Sequence, residues 1–322
     1  MRALSPRSEE QHLPGRPALL LFGSTAVGKT AILDEIADRP IEIVSADSMQ
    51  VYRGMDIGTA KPGPQLRSRT PHHLIDVRAP DEPYDVGAFV ADATTAIDAI
   101  LARRNLPVVS GGTGYYFKHL LLGLPETPPA DPVVRARVRE QGERRGLEAL
   151  FERLREVDPE SAQRVGPTDR YRITRALEVY EQTGRPLSGF AMTGRSSARL
   201  DAVPVSLVRP PEQVRRRIVE RVVRMFAAGL RTEVEALVES GYGPADPGMR
   251  AIGYREFFDA AGRLRPAADD ETIAGEIVRD TRRYAKRQRA FFRNLPGVRE
   301  IDADDTGAIA ALVDSMTTAS RP

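Results

Sequence analysis

The sequence predicts an α/β protein in which a parallel sheet carries a phosphate-binding loop and a mainly helical segment is inserted into the chain. First, the apolar run 19–22 leads into the pattern G-x-x-x-x-G-K-T at 23–30, and a helical pattern follows. Second, the apolar runs 41–46 and 106–110 end in polar or glycine residues, as expected for buried parallel strands. Third, a proline-rich break after residue 122 precedes an arginine-rich segment with a helical pattern.

The composition is that of a soluble globular protein. Of its 322 residues, 41% are hydrophobic and 29% are charged, and no apolar run is long enough to cross a membrane. Cysteine is absent, which excludes disulfides and thiolate zinc sites and suits the cytoplasm, and the four histidines lack metal-ligand spacing. The net charge is only +2, so any nucleic-acid surface must come from local basic clusters. Residues 1–16 lack the apolar core of a signal peptide, and we expect a disordered tail there.

The pattern at 23–30 is a phosphate-binding loop, the P-loop. Its two glycines let the backbone turn so that N–H groups point into one concavity, and the following helix adds the positive end of its dipole. Lys29 supplies a point charge for phosphate oxygens, and the Thr30 hydroxyl can bind Mg²⁺. The residues expected to bind a diphosphate or polyphosphate are Gly23, Ser24, Thr25, Ala26, Val27, Gly28, Lys29 and Thr30. The pattern does not specify which polyphosphate binds.

Asp47 follows the second predicted strand, at the sheet edge that faces the ligand in open α/β folds. Three roles remain open for it: a Mg²⁺ ligand, a general base, or the N-cap of a short helix that starts at Ser48. The glycine- and proline-rich stretch 49–64 comes next. We interpret it as a substrate loop, because a long loop beside a phosphate site is commonly functional.

A second glycine turn at 111–114 follows the strand at 106–110. In P-loop ATPases such a strand commonly ends in an acid that helps to hold Mg²⁺. Here the strand ends in Ser110, which weakens the interpretation as an ATPase.

The domain boundaries are predicted from the breaks in pattern. We expect an α/β catalytic core formed by 17–122 and 200–300, a helical insertion at 123–199, and a peripheral tail at 301–322. A strand at 202–208 should return the chain to the sheet of the core.

Basic residues cluster on two predicted helices of the second half. Arg217 and Arg221 lie four positions apart on one helix face. The segment 281–293 has no acidic residue and carries a cationic stripe, which consists of Arg282, Lys286, Arg289 and Arg293. A solvated helix face and a contact surface for nucleic-acid phosphates both fit such a stripe, and the missing acids favour the second interpretation.

An ordered set of motifs runs through the chain: the P-loop, 45–62, 72–76, 110–116, 175–179, 251–255 and 284–288. This set resembles that of the bacterial tRNA dimethylallyltransferases, also called tRNA isopentenyltransferases. The chain departs from the family pattern at Ser24 and Val27, where backbone amides should bind phosphate, and at Phe291, where the family often has tryptophan. The zinc finger of eukaryotic relatives is absent, because the chain has no cysteine.

The resemblance implies an activity and roles for individual residues. The activity is transfer of a dimethylallyl group from dimethylallyl diphosphate to N6 of the adenosine that follows the anticodon in tRNA, with release of diphosphate. Asp47 would accept the proton of the attacking amine, while Arg221 and Thr30, with Mg²⁺, would join the P-loop in stabilising the leaving diphosphate. The target adenosine would leave its base stack to reach the site.

The same resemblance implies that the helical insertion at 123–199 binds tRNA. The tRNA-binding residues that it implies are Asp47, Ser48, Met49, Gln50, Thr113, Arg135, Tyr171, Arg172, Ile173, Thr174, Arg175, Arg250, Ala251, Ile252, Gly253, Tyr254 and Arg255. Packing roles remain open for Tyr171, Ile173 and Ala251, and ordinary surface-charge roles for Arg172 and Arg175. The expected partners are the tRNA anticodon stem-loop and dimethylallyl diphosphate, the expected cofactor is Mg²⁺, and we expect a cytoplasmic monomer.

Two other functions remain open from the sequence. A P-loop kinase of a small metabolite would bind ATP and release a phosphorylated product. A non-catalytic RNA-binding module that uses a nucleotide as a switch would bind tRNA without turnover, whether or not Asp47 is changed to Asn. Ser110 and the ordered motif set argue against both.

Overall fold

The computed structural model describes residues 16–129, 131–190 and 200–319. Its contacts divide the chain into two compact units, residues 1–121 with 198–322 and residues 122–197. The predicted insertion differs from the second unit by one residue at its start and two at its end. The predicted N-terminal tail lies outside the described residues except for Arg16, which begins the first strand.

In the described residues of the first unit, six parallel strands form one sheet. They are β1 (Arg16–Gly23), β2 (Ile41–Ala46), β3 (His72–His73), β4 (Leu106–Gly111), β5 (Leu200–Val208) and β6 (Arg299–Asp302). The strand order is β3-β2-β4-β1-β5-β6, and every neighbouring pair is parallel. The predicted α/β class is confirmed, and the returning strand β5 pairs with every residue of β1.

The helices, in chain order, are α1 (Lys29–Glu35), α2 (Pro64–Arg69), α3 (Val86–Ala102), α4 (Gly114–Leu122), α5 (Pro132–Val157), α6 (Pro159–Arg164), α7 (Arg170–Thr183), α8 (Pro211–Ala227), α9 (Leu230–Glu239), α10 (Asp270–Phe292) and α11 (Thr306–Ala319). Arg282, Lys286 and Arg289 of the cationic stripe lie on the last three turns of α10, and Arg293 is its C-cap residue. The helix begins well before the predicted start at residue 281. Across the described ranges, no helix is long and apolar enough to cross a membrane.

Both faces of the sheet are covered, which explains why its central strands are almost continuously apolar. Leu19 and Leu21 of β1 point to one face and join a buried cluster with α1 and α11. Phe22 points to the other face, where its ring lies 4.8 Å from the ring of Phe117 and 4.7 Å from that of Phe292. The central strand is therefore held from both sides, and the loop at its end starts from a fixed point.

The expectation of a peripheral tail at 301–322 has to be corrected. β6 adds a strand to the sheet beside β5, and α11 buries Ile309 and Val313 completely in the cluster that contains Leu21. The strand is short and the helix contains many small residues, so the hydrophobic pattern of this segment was too weak to reveal its place in the core.

The second unit has a helical core of its own. Asp131, Asp158 and Asp169 accept hydrogen bonds from backbone N–H groups at the starts of α5, α6 and α7, which satisfies donors that a helix leaves unpaired. The three helices enclose buried apolar side chains that include Val138 and Ile173. The predicted helical character of this segment is confirmed.

The carboxyl ends of β1, β2 and β4 lie side by side, because β4 pairs with both other strands. These ends lead into the P-loop, Asp47 and the second glycine turn, respectively. The topology thus delivers three segments that are distant in sequence to the ligand-binding edge of the sheet.

Candidate active site

The P-loop connects β1 to α1. Gly28 adopts a φ of 123°, which side chains rarely tolerate, so this turn requires glycine. The Lys29 ammonium donates hydrogen bonds to the carbonyl oxygens of Gly23 (2.8 Å) and Ser24 (3.0 Å). Burial lowers the pKa of Lys29 from 10.5 to about 8. The loop therefore holds a partly desolvated cation close to the N-terminus of a helix, as expected of an anion site.

One cavity of about 940 Å³ in the first unit brings together the three predicted catalytic residues, Thr30, Asp47 and Arg221. Other predicted site residues that line it are Thr25, Ala26, Gly28, Lys29, Ser48, Met49, Gln50, Arg250, Ala251, Ile252, Gly253 and Arg255. The lining does not include Gly23, Ser24, Val27, Thr113 or Tyr254. The cavity lies within the usual size range of small-molecule sites.

Arg221 connects the P-loop with the predicted substrate loop. It extends from α8 and donates hydrogen bonds to Thr25 Oγ1 (3.3 Å) and to the carbonyl oxygen of Thr59 (3.4 Å). Burial lowers the pKa of Arg221, and the Asp47 carboxylate opposes this effect. The same carboxylate favours the charged form of Lys29. Lys29 and Arg221 thus place two cations close to the Asp47 carboxylate, which suits an anionic leaving group beside a base.

Two further arginines support the back of the P-loop. Arg217 Nε donates to the carbonyl oxygen of Ala26 (2.9 Å), a residue with an uncommon positive φ of 62°. Arg209 Nε donates to the carbonyl oxygen of Val27 (3.0 Å), and Asp304 binds the guanidinium of Arg209 at 2.8 Å. The four-residue spacing of Arg217 and Arg221 in the sequence indicated that Arg217 shares a helix face with Arg221. No local pattern indicated the contact of Arg209 with Val27.

Asp47 starts a turn rather than a helix, which removes the helix N-cap from its possible roles. Its Oδ1 accepts the Met49 N–H (3.0 Å), and residues 48–50 form a turn. In the described part of the chain, Oδ2 accepts no hydrogen bond. The Ser48 N–H donates to Thr113 Oγ1 (2.9 Å), so Thr113 supports this turn from the second glycine loop.

The segment 250–255 contributes both cavity-lining and buried residues. Arg250 and Arg255 line the cavity, and Arg255 also forms an ion pair with Asp280 (2.7 Å). Tyr254 is fully buried, and its hydroxyl donates to Glu233 Oε1 (2.6 Å). The implied tRNA contact of the Tyr254 side chain is therefore corrected to a packing role.

Glu233 is a site residue that the sequence pattern did not reveal. Its carboxylate on α9 accepts the N–H groups of Asp56 (2.9 Å), Ile57 (2.7 Å) and Gly58 (3.1 Å). These residues belong to the loop that lines the cavity. Because charged acceptors form the stronger hydrogen bonds, Glu233 fixes one wall of the site.

In the second unit, the start of α7 presents predicted tRNA-binding residues to solvent. Tyr171 is 72% exposed, which is unusual for a large aromatic side chain. Arg172 forms an ion pair with Asp169 (2.7 Å), and the Thr174 hydroxyl donates to the carbonyl oxygen of Arg170.

Other predicted tRNA-binding residues of this unit have structural contacts. Arg135 and Arg175 approach Glu178, whose side chain is nearly buried, at 3.4 and 3.5 Å. Ile173 is fully buried in the helical core, so its implied tRNA contact is corrected to packing. An isoleucine on the inner face of a helix cannot reach a ligand in solvent.

The residues around Thr30 fit a Mg²⁺ ion that is shared with a bound diphosphate. Within 16–129, 131–190 and 200–319, no group of three or more His, Cys, Asp or Glu side chains could hold a metal. Mg²⁺ commonly retains several waters and binds through one or two protein oxygens plus substrate phosphates. The Thr30 hydroxyl can supply such an oxygen from the cavity wall.

The cationic stripe lines a second cavity of about 840 Å³, together with Ser24 and Val27 of the P-loop. Arg293 lies 3.8 Å from a carboxylate oxygen of Glu300. The described residues provide no ion-pair partner for the other members of the stripe, Arg282, Lys286 and Arg289.

The fold and the first cavity define the class of the protein: a P-loop α/β enzyme whose P-loop lies beside a carboxylate in one cavity. The family model for IPP transferase matches residues 50–295. The chain therefore belongs to the IPP transferase family, and the resemblance stated from the motifs is confirmed.

Curated relatives and solved structures agree with this assignment. The tRNA dimethylallyltransferase of Syntrophobacter fumaroxidans is 46% identical over 300 residues, which covers 92% of this chain and 86% of the relative. That of Halorhodospira halophila is 45% identical over 307 residues, or 94% and 97% of the two chains. A tRNA isopentenylpyrophosphate transferase structure from Bacillus halodurans matches with a TM-score of 0.65 and 31% identity, and covers 95% and 98%. A eukaryotic dimethylallyltransferase acting on tRNA matches with a TM-score of 0.79 and 25% identity, and covers 95% and 80%.

Proposed function

We propose that the protein transfers the dimethylallyl group of dimethylallyl diphosphate to N6 of the adenosine that follows the anticodon in tRNA. The main observation behind the proposal is that Asp47, residues of the P-loop and Arg221 line the same cavity. Such a cavity offers a base for an amine and a cradle for a diphosphate. Membership in the IPP transferase family supports the same reaction.

The proposed reaction is a displacement at the allylic carbon. The bond from adenosine N6 to C1 of the dimethylallyl group forms, and the bond from C1 to the diphosphate oxygen breaks. Asp47 accepts the proton that N6 loses, since its Oδ2 accepts no hydrogen bond within the described ranges and its Oδ1 is held by the turn. Positive charge from Lys29 and Arg221, together with P-loop N–H groups, stabilises the negative charge that develops on diphosphate.

Mg²⁺ is the proposed cofactor, and Thr30 is the residue that would hold it. When bound, the ion would neutralise part of the diphosphate charge. The protein's own contribution is to orient the diphosphate, through Lys29 and the loop backbone, so that the allylic carbon faces Asp47.

The proposed tRNA surface contains the exposed predicted residues of each unit. Tyr171 can stack on an unpaired base, and Arg250 and Arg255 can bind phosphates or base edges at the first cavity. The stripe on α10 can bind further phosphates, because three of its members have no ion-pair partner in the described chain. We also propose that the enzyme acts as a cytoplasmic monomer, which light scattering with and without tRNA would check.

The test is a transfer assay with purified protein, Mg²⁺, dimethylallyl diphosphate and unmodified tRNA that carries adenosine after the anticodon. Mass spectrometry of the digested nucleosides should show one dimethylallyl group on that adenosine. Asp47→Asn should lower the rate about 100- to 10,000-fold, the range typical for loss of a general base. Exposed Asp81→Asn is the matched control and should retain the wild-type rate.

Absence of the modified nucleoside with the wild-type protein would refute the proposal. Consumption of ATP in the same mixture would instead favour the metabolite kinase. Binding of tRNA without turnover, unaffected by Asp47→Asn, would favour the non-catalytic RNA-binding module.

A further inference from the structure

Gln288 of α10 connects two loops that are far apart in the sequence. Its side chain is buried, and its Oε1 accepts a hydrogen bond from the Thr25 N–H at 2.8 Å. Its Nε2 donates to the carbonyl oxygen of Gly112 at 2.7 Å. Both polar ends of one buried amide are thus satisfied by backbone groups, one in the P-loop and one in the second glycine turn.

The two loops hold the two halves of the proposed reaction. On the P-loop side, the Thr25 hydroxyl accepts a hydrogen bond from Arg221. On the other side, Gly112 precedes Thr113, whose N–H donates to the carbonyl oxygen of Ala46 (3.1 Å) and whose hydroxyl accepts the Ser48 N–H. Thr113 therefore fixes the backbone immediately before and after the base. A shift of Gly112 would move Asp47 relative to the diphosphate cradle.

The second glycine turn is shaped to admit this amide. A Cβ atom built on Gly112 would lie 2.5 Å from Gln288 Nε2, which is too close for a real contact. The next nearest atoms are 3.8 Å or more away. Gln288 Nε2 is therefore the one atom that such a Cβ would approach too closely. A side chain at position 112 would therefore have to displace the Gln288 amide.

We propose that Gln288 is a positioning residue that sets the distance between the diphosphate cradle and Asp47. The inference rests on the proposed function and deepens it, because it names the side chain that aligns the two reacting partners. Gln288 acts through Thr25 and Gly112.

The first experiment compares Gln288→Leu with the wild type and with exposed Gln65→Leu, a matched control outside the site. Leucine keeps the volume roughly constant and removes both hydrogen bonds. We expect kcat for transfer to fall about 100-fold, as a small misalignment of reacting groups can cause. The KM for tRNA and the far-UV circular dichroism should stay close to wild type, whereas the Tm should fall modestly, because two buried backbone groups lose their partners. An unchanged kcat, or a loss that matches the unfolded fraction, would overturn the inference.

The second experiment uses the close approach at Gly112. Gly112→Ala should displace Gln288 and lower kcat, whereas Gly275→Ala, at an exposed position of α10 where a Cβ meets no atom within 4 Å, should not. The double variant Gly112→Ala with Gln288→Ala should be no slower than Gln288→Ala alone, because both changes break the same connection. A double variant whose loss equals the product of the two single losses would show that the residues act independently and would overturn the inference.

A third measurement separates this inference from the proposed function. Binding of inorganic diphosphate by calorimetry does not depend on transfer. Gln288→Leu should weaken it about 10-fold, because the P-loop loses its anchor at Thr25. If the wild type transfers nothing and this effect is present, the proposed function fails and the positioning role stands. If diphosphate affinity and kcat are both unchanged, the positioning role fails.

Discussion

Raising the pH should weaken the binding of dimethylallyl diphosphate, because Lys29 loses its charge within an accessible range. Burial places its pKa at about 8 in the free protein, whereas an exposed lysine would remain charged beyond pH 10. A bound diphosphate restores a high pKa, since opposite charge favours the ammonium. The affinity then follows the fraction of free protein in which Lys29 is protonated.

The magnitude follows from this fraction. A group with a pKa of about 8 is roughly 90% charged at pH 7 and about 3% charged at pH 9.5. The dissociation constant should therefore rise roughly 30-fold between these pH values. The charge of the ligand stays nearly constant in this range, because phosphate esters complete their last ionisation near pH 6.

The assay is isothermal titration calorimetry with dimethylallyl diphosphate in the absence of Mg²⁺. It compares the wild type with Lys29→Arg at half-unit steps of pH. Arginine remains charged throughout, so the variant should show weaker but pH-independent binding. A flat profile for the wild type would refute the pKa argument. An equal slope in both proteins would assign the pH dependence to another group.

Three further predictions concern stability, the loop wall and tRNA. Glu42 is buried, receives hydrogen bonds from Arg103 and Asn105, and contacts His73 at 2.7 Å, and its pKa falls from 4.5 to about 2. Glu42→Gln should therefore lower the free energy of unfolding at pH 7, measured with urea, by about 3 kcal/mol. The difference between variant and wild type should shrink as the pH falls from 4.5 toward 2, and an equal difference at all pH values would contradict this. Glu233→Gln should speed hydrogen exchange at residues 56–58 about 10-fold, measured by mass spectrometry, because the amide replaces a charged acceptor of three N–H groups; unchanged protection would reject its anchoring role. Tyr171→Ala should leave the free energy of unfolding within about 0.5 kcal/mol and weaken tRNA binding about 10-fold in filter binding, as loss of one stacked base would; unaltered affinity would exclude the contact.

Local pattern was sufficient to locate the P-loop, Asp47 and the returning strand. Each is encoded by a short run of residues whose periodicity or glycine spacing is specific. Local pattern could not reveal the partners that position them. Gln288 contacts a P-loop residue that lies 263 positions away in the sequence. Glu233 contacts residues 56–58, which lie more than 170 positions away. Such contacts depend on how helices lie on the sheet, and a buried polar side chain has no periodicity of its own.

The same limit explains the residues whose roles changed. Tyr254 lies within a motif that resemblance linked to tRNA, yet its ring is buried and its hydroxyl meets Glu233. Ile173 lies among exposed polar residues of α7 but occupies the inner face of that helix. A contiguous motif therefore combines residues that can face the ligand with residues that hold the segment in place.

The position of the acidic residue accounts for the kind of bond this P-loop enzyme would break. A kinase or ATPase cleaves between phosphorus and oxygen, and an acid on the strand beside the loop commonly helps to hold Mg²⁺. The penultimate residue of β4 is instead Ser110, which is buried between Leu21 and Ser45 of the neighbouring strands. The acid lies one strand further along the sheet, at Asp47, which lines the cavity and uses one oxygen to accept the Met49 N–H. An intact diphosphate leaving group needs cations and N–H donors, while the attacking amine needs a base, and this arrangement supplies both.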